Sequence, residues 1–405
     1  RMRLRGLACC CCSSRGGVLR QALRIAVTNR PRGLSGVKGR ILLALVSVAI
    51  GALIAELLLA VLSPQVYRLP DVWTHDAQLG WSHRSGSEGH LVTPEFDVLY
   101  QIDDDGRRQH VSVSVGRRLQ LYGDSFAEGW GVDVDVGLAA RLESGLALSV
   151  HNYGTAGYGT DQELLLFAEQ GAAEAPDIVL VLFYANDLWN NVSRRGIGTE
   201  RGAKPFFRPG TDGGLRLMGT PIPAPAPRIK SQPAALAEHS HLWSLGRKAM
   251  AQESPVPAQQ MRQFYGGLYG HDIEPYRPVW DLTESLLAEF ARASQKAGAE
   301  FVVVYAPSIV QIEAENWRTK RDLHKLTQDY DLSQPNRQLQ AIAKRQGIDF
   351  IDLTAAFKAA AGEQTLYFRD SHWNEAGHQL AAEATVSALV NFGYAEARSG
   401  VEMAE

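Results

Sequence analysis

The sequence predicts an α/β fold, a parallel sheet of five strands covered by helices on both faces, behind one N-terminal apolar segment. Three observations predict it. Five short runs rich in β-branched or apolar residues each precede a helical pattern, which is the signature of parallel strands joined by crossover helices. A Pro- and Gly-rich interval at 188–278 interrupts that repeat once and is too long for an ordinary connection, so it reads as an insertion between the third and fourth strands. Residues 41–62 form a run of 22 broken only by Ser47, Gly51 and Glu56.

Composition narrows the classes. The chain has 405 residues, 45% apolar and 21% charged, enough for one large domain or two small ones. Its net charge of −3 is unevenly placed: residues 1–40 carry ten Arg or Lys and no Asp or Glu, which leaves 31 basic against 44 acidic side chains in the remainder. That balance argues against a nucleic-acid-binding body. All four cysteines lie at 9–12, so the body has no disulfide framework, no cysteine nucleophile and no Cys-ligated zinc.

Taken in order, residues 1–40 read as a basic cytoplasmic tail. The Cys run there fits lipidation, metal binding or a start upstream of the true N-terminus, and carries no functional weight. At about 1.5 Å per residue, the run at 41–62 spans the roughly 30 Å hydrocarbon core of a bilayer. Its end, Ala60-Val61-Leu62-Ser63-Pro64, fits a small-x-small cleavage site poorly, which favours an uncleaved signal anchor over a cleaved signal peptide. The positive-inside rule then places the body outside the cytoplasmic membrane, as a single-pass inner-membrane protein with a periplasmic domain. Glu56 reads as a carboxyl near the far interface or protonated in place, or as a polar contact with a partner helix.

Residues 64–117 read as a small β-rich segment, with Asp103-Asp104-Asp105-Gly106 as a turn. The strands follow at 118–122, 149–153, 177–184, 300–306 and 349–353, most with almost no internal polarity, as strands buried on both faces require. Helical patterns occupy 136–148, 161–173, 282–297, 336–345 and 374–392, and 393–405 is a tail.

In an open parallel sheet, ligands bind beyond the carboxyl ends of the strands. The first strand runs into Gly123-Asp124-Ser125, the second into 152–157, the third into Ala185-Asn186-Asp187, and the stretch after the fifth leads to Asp370-Ser371-His372. All four clusters meet on one edge. Acyl transfer needs a hydroxyl nucleophile, a base, a carboxylate that orients the base, and oxyanion donors. Ser125, His372 and Asp370 meet the first three needs; the Ser125 and Gly157 backbone N–H groups and the Asn186 side chain meet the last. A side chain at position 157 would crowd the acyl oxygen.

These blocks resemble the SGNH hydrolases, also called the GDSL esterase/lipase superfamily, over residues 118–392. GDSF at 123–126 carries the nucleophile, NYGTAGYG at 152–159 the glycine, YAND at 184–187 the asparagine and DSHWNEAGH at 370–378 the histidine. The resemblance implies a three-layer α/β/α, flavodoxin-like fold, hydrolysis or transfer of small acyl groups, and neither metal nor cofactor. Two features depart from the family pattern. Tyr184 stands where the third block usually has glycine, which narrows the pocket, and Asp370 precedes His372 by two positions rather than three. The Asp-x-His spacing followed by Trp373 is similar to the membrane-associated O-acetyltransferases of exopolysaccharide synthesis.

Other residues have plainer readings. Asp124 and Asp187 fix local backbone through side-chain hydrogen bonds. His378, inside a helical pattern, is structural, and no metal-ligand spacing includes it. Trp130, Tyr184 and Trp373 are candidate substrate contacts, with the two tryptophans placed to stack on a sugar or simply packed. Arg194, Arg195, Arg201, Lys204 and Arg208 read as a solvated face of the insertion rather than a trap for an anionic glycan. Asn191-Val192-Ser193 fits a glycosylation acceptor in a eukaryotic source. The expected function is a serine esterase acting on acyl esters, chiefly O-acetyl groups of an extracytoplasmic glycan. The alternatives are an O-acetyltransferase supplied by a membrane acyl-donor partner, and a non-catalytic glycan-binding or assembly protein with a decayed site.

Overall fold

The computed structural model describes residues 37–109, 116–196, 202–210, 214–226, 239–250 and 258–398. The Cys run, Arg201 and most of the basic tail lie outside them. The chain divides into two units, Arg1–Ser63 and Pro64–Glu405. Among the described residues of the first, one helix, Val37–Leu62, is long and apolar enough to cross a membrane, and most of its apolar side chains are exposed.

The second unit is built on a sheet of five parallel strands, β5 (Arg118–Gly123), β6 (Ser149–Asn152), β7 (Ile178–Phe183), β10 (Glu300–Tyr305) and β11 (Asp349–Asp352). Their spatial order is β11-β10-β7-β5-β6, with every neighbouring pair parallel. In strand sequence this is the doubly wound order 2-1-3-4-5, so chain direction reverses between β5 and β7 and opens a crevice beyond their carboxyl ends. All six residues of β7 are buried. At roughly 1.5–3 kcal/mol for each fully buried large apolar side chain, this central strand is a main anchor of the core.

Helix Leu138–Gly145 packs with Glu375–Asn391, while Thr160–Glu169 packs with Arg277–Lys296, which in turn touches Gln334–Gln346. These helices flank the sheet as the strand-helix repeat predicts, with boundaries shifted by a few residues. Helix Arg277–Lys296 begins earlier than the apolar pattern suggests, because Pro278 sits in its first turn, where its missing N–H costs nothing. Helix Ala314–His324 was not anticipated: none of its residues is buried, so it carries no apolar stripe to read.

Upstream of the sheet, β1 (Trp73–Asp76) pairs antiparallel with β2 (Gly80–His83), and β3 (Glu88–Val92) with β4 (Asp97–Gln101). Leu79 and Trp81 join the main core, whereas Val72, Leu91, Val98, Tyr100 and Ile102 form a second apolar cluster that also holds Trp130 and Ala156. The upstream hairpins therefore pack directly behind the first strand's exit loop. Within the insertion lie the hairpin β8 (Phe206–Pro209) with β9 (Leu215–Met218) and the helices His241–Met250 and Ala258–Tyr269.

Candidate active site

Strand β5 ends at Gly123, and Asp124 turns the chain into the short helix Ser125–Glu128, accepting the Phe126 N–H on its Oδ1 at 2.9 Å. Its other oxygen accepts from Asn186 Nδ2 at 2.8 Å, across from the end of β7. Asp124 thus fixes its own turn, as the sequence suggests, and also aims the Asn186 amide. Burial raises the Asp124 carboxyl, and these hydrogen bonds and His372 offset only part of that. Asp187 in turn accepts the Tyr184 N–H at 2.7 Å and holds the asparagine turn closed.

The glycine block closes over this turn. At Gly154 an added Cβ would lie 2.3 Å from the Glu128 nitrogen, so the backbone from β6 touches the short helix that carries Ser125 and admits no side chain. Gly157 has φ +82°, the left-handed region that favours glycine. Position 157 thus carries a conformational requirement, and close backbone packing adds one at 154, which the family block hides among several glycines.

The histidine block supplies the other half. Ser125 Oγ lies 2.8 Å from His372 Nε2. His372 Nδ1 lies 3.1 Å from Asp370 Oδ2, an ion-pair distance, but off the line of a well-aligned N–H···O bond. The two-residue spacing is accommodated by Ser371, which adopts φ +77°, while Asp370 Oδ1 accepts the His372 backbone N–H at 3.1 Å. One carboxylate oxygen caps the tight turn and the other faces the ring. Burial would raise the Asp370 carboxyl, but His372 and the Trp130 indole N–H together hold it below the usual range. Asn374 caps the following helix by accepting the Gly377 N–H at 3.0 Å. His378 is buried with its pKa held down to about 3, first by burial and then by Arg108, Arg141 and His372. It stays neutral and structural.

The three aromatic candidates separate. Trp130 is mostly buried: it stacks on His372 with ring centroids 5.3 Å apart, and its Nε1 donates to Asp370 Oδ2 at 3.1 Å. It therefore supports the His372–Asp370 pair rather than offering a free face to a sugar. Trp373 corrects the expectation outright. Its ring is 0% exposed, packed against Phe126, Phe357 and His378, and has no surface on which a ligand could stack. Tyr184 is half-buried against Phe126, with centroids 4.1 Å apart.

Two supports were not read from sequence. Arg108 is 1% exposed; it lies over the Tyr100 ring and donates to the carbonyls of Glu128 (3.0 Å), Gly129 (2.6 Å) and Val132 (2.6 Å), clamping the loop that carries Trp130. His83 Nε2 meets Glu128 Oε1 at 2.5 Å, both side chains buried. Lys204 corrects a further expectation. Far from being solvated, it is 1% exposed and donates to Asp161 Oδ2 and to the Asn190 and Pro205 carbonyls. A lone lysine in a basic run gives no sign of this, because its partner lies 43 residues away.

Behind the site, Asp124, Asp161, Glu163 and Asp187 are all fully buried. Neither carboxyl oxygen of Glu163 has a hydrogen-bond partner among the described residues, and burial, with Asp124 and Asp161 adding, pushes this carboxyl well above its usual range. Burial, Glu163 and Asp124 do the same to Asp187. The folded protein thus keeps a proton on Glu163 that the unfolded chain releases above about pH 4.3. Stability from this group is greatest in acid and falls as pH rises through the folded pKa. Glu163→Gln should flatten that fall, so thermal melts from pH 5 to 9 are expected to show a smaller alkaline loss than wild type; an unchanged slope would refute the assignment.

Comparison with known proteins adds the family. Among curated proteins, none matches the chain. Similar solved structures include a catalytic mutant of Axe2, an acetylxylan esterase from Geobacillus stearothermophilus, at 16% identity and TM-score 0.38, covering 71% of this chain and 99% of that one. LAE5, an alpha/beta hydrolase enzyme from the metagenome of Lake Arreo, Spain, is similar at 14% identity and TM-score 0.36, with 68% and 95% covered. TesA is similar at 14% identity and TM-score 0.35, with 67% and 98% covered. The model of the GDSL-like lipase/acylhydrolase family matches residues 121–380, a span that holds the serine turn, the glycine and asparagine blocks and the histidine block, and the chain belongs to that family.

Proposed function

We propose that the protein is a membrane-anchored serine esterase that removes acyl groups, chiefly O-acetyl, from an extracytoplasmic glycan. The observation that carries the reading is the 2.8 Å approach of Ser125 Oγ to His372 Nε2, with Asp370 3.1 Å from the ring's other nitrogen. In this reading Ser125 Oγ attacks the acyl carbon while His372 takes its proton. The oxyanion is met by the Ser125 and Gly157 backbone N–H groups and by Asn186. An amide nitrogen carries two hydrogens, and Asp124 accepts one from Asn186, which leaves the other for the substrate. His372 returns the proton to the leaving alkoxide. Water, activated by the same ring, then releases the acid from the acyl-serine. Helix Val37–Leu62 supplies the anchor, and the charge asymmetry around it favours a body outside the cytoplasm.

Transfer to a glycan hydroxyl would use the same acyl-serine, so partition decides between the two outcomes. A fluorophosphonate should add its phosphonyl mass to the peptide containing Ser125, and acetylated oligosaccharide should release acetate faster than acetyl appears on added acceptor. Acetyl appearing mainly on acceptor would make the protein a transferase; no adduct and no turnover would leave only a binding role.

Trp130 gives a graded test of positioning. Trp130→Phe preserves a ring over His372 but deletes the donor to Asp370, and a hydrogen bond to a charged group contributes about 1.5–3 kcal/mol. Turnover is expected to fall by roughly tenfold with KM little changed. Wild-type turnover in this variant would remove Trp130 from the machinery.

A further inference from the structure

The hairpin of β3 and β4 turns through Thr93-Pro94-Glu95-Phe96, and its tip is held in one shape. Thr93 Oγ1 accepts the N–H groups of Glu95 at 3.1 Å and Phe96 at 3.2 Å, and the Thr93 N–H donates to the Phe96 carbonyl at 2.8 Å. Pro94 fixes its own φ between them. A tip closed in this way holds Glu95 and Phe96 in a set direction.

What they meet is the approach to the histidine block. Glu95 Oε2 accepts the Arg369 backbone N–H at 3.0 Å, 274 residues away, while the other carboxylate oxygen lies 3.9 Å from the Arg369 guanidinium. Phe96 packs on Phe368 with ring centroids 4.8 Å apart. Phe368 and Arg369 open the reversal that ends at His372, in which the Phe368 N–H donates to the His372 carbonyl at 2.8 Å and the Ser371 N–H donates to the Phe368 carbonyl at 3.0 Å. Bonds inside a turn fix its shape, but not its place relative to Ser125. The hairpin tip grips it from outside.

The same tip reaches the loop that carries Trp130. At Gly131 an added Cβ would lie 2.9 Å from both the Phe96 and the Phe368 ring, so the two rings close over the residue that follows Trp130. The tip therefore touches both segments that meet at Asp370, one bringing the indole N–H and the other the carboxylate.

We propose that Glu95 is a positioning residue for acyl transfer: by holding the Arg369 N–H it keeps Asp370 against His372 Nδ1 and His372 Nε2 against Ser125 Oγ. Arg369 adjoins Asp370 in the chain, so a shift of its peptide passes straight into the carboxylate. A misplacement of about 1 Å at a reacting group can cost about a hundredfold in rate. Glu95 acts through the turn rather than on the ester, so its loss should fall on kcat and spare KM. The inference rests on the esterase reading of Ser125, and the experiment separates the two.

Full-length wild type, Glu95→Ala and Glu95→Gln are assayed on 4-nitrophenyl acetate, with thermal melts and fluorophosphonate labelling alongside. Glu95→Ala is expected to lower kcat at least about tenfold, with KM within about twofold and the melting temperature within about 3 °C of wild type. The amide oxygen of Glu95→Gln still accepts the Arg369 N–H, so this variant is expected to keep kcat within about threefold of wild type. Wild-type kcat in Glu95→Ala, with or without a raised KM, would overturn the proposal and leave the Ser125 assignment standing. Equal losses in the two variants would assign the effect to the charge facing Arg369 and overturn it as well. A wild-type protein that neither turns over ester nor takes the fluorophosphonate would remove both readings. If Glu95→Ala does not fold, Thr93→Val carries the test, because it deletes the acceptor that shapes the tip and leaves Glu95 in place. Its kcat is expected to fall at least about threefold at unchanged KM, and wild-type kcat there would overturn the proposal.

Discussion

Ser125→Ala is expected to lower turnover of 4-nitrophenyl acetate by about three orders of magnitude or more, with the fold intact by circular dichroism. The hydroxyl is the atom that would become acylated, and alanine removes it without a change in packing volume that the turn would notice. His372→Ala should cost a similar amount, because an unassisted serine hydroxyl at neutral pH is a poor nucleophile. The two losses should not multiply. Groups that act as one unit fail together, so the double variant is expected within about threefold of either single one. A double variant lower by the product of the two factors would mean that serine and histidine act independently, and the 2.8 Å contact would then be incidental.

Lys204→Met is expected to lower the melting temperature on the order of 10 °C at pH 7, the consequence of about 3–5 kcal/mol for stranding the partner of a buried ion pair. The ammonium is the partner of Asp161 in a region that also buries Asp124, Glu163 and Asp187. Methionine fills the channel but leaves the Asp161 carboxylate, which burial already raises, without its compensating charge. Adding Asp161→Asn removes the stranded charge and should restore most of the loss, a coupling read directly from a double-mutant cycle of melts. If Lys204→Met melts within about 2 °C of wild type, the pair is not sustaining the fold. The same lysine bonds the Asn190 carbonyl, four residues after Asn186, so it ties the later part of the insertion to the end of the short helix Asp187–Asn190 that follows the asparagine turn.

The architecture was legible because its signal is local. Strand β7 is an unbroken apolar run, and helix Arg277–Lys296 buries Trp280, Thr283, Leu286, Leu287, Phe290, Ala291 and Ser294, the 3.6-residue period that one buried face imposes. The four site blocks were legible for a related reason: each follows a strand end, and the doubly wound order carries the serine and asparagine turns to the same crevice. What stayed hidden depends on distant pairing. Nothing near Trp130 says that its indole will meet Asp370, 240 residues away, and nothing near Trp373 says that it will be sealed under Phe126. The short Asp-x-His spacing looked like a departure that could break the pair. It does not separate them, because a single residue in the left-handed region reverses the chain fast enough to bring Asp370 back to the ring.

Arg108 sets a limit on modularity. The family match starts at residue 121, yet the guanidinium that grips the Glu128, Gly129 and Val132 carbonyls comes from upstream of it, as does His83 against Glu128. A segment exchanged between relatives at the family boundary would bring the Ser125 loop without its clamp. The unit that evolution could shuffle intact, or that a protein engineer could graft, is therefore longer than the matched span at 121–380. It begins no later than the first upstream hairpin.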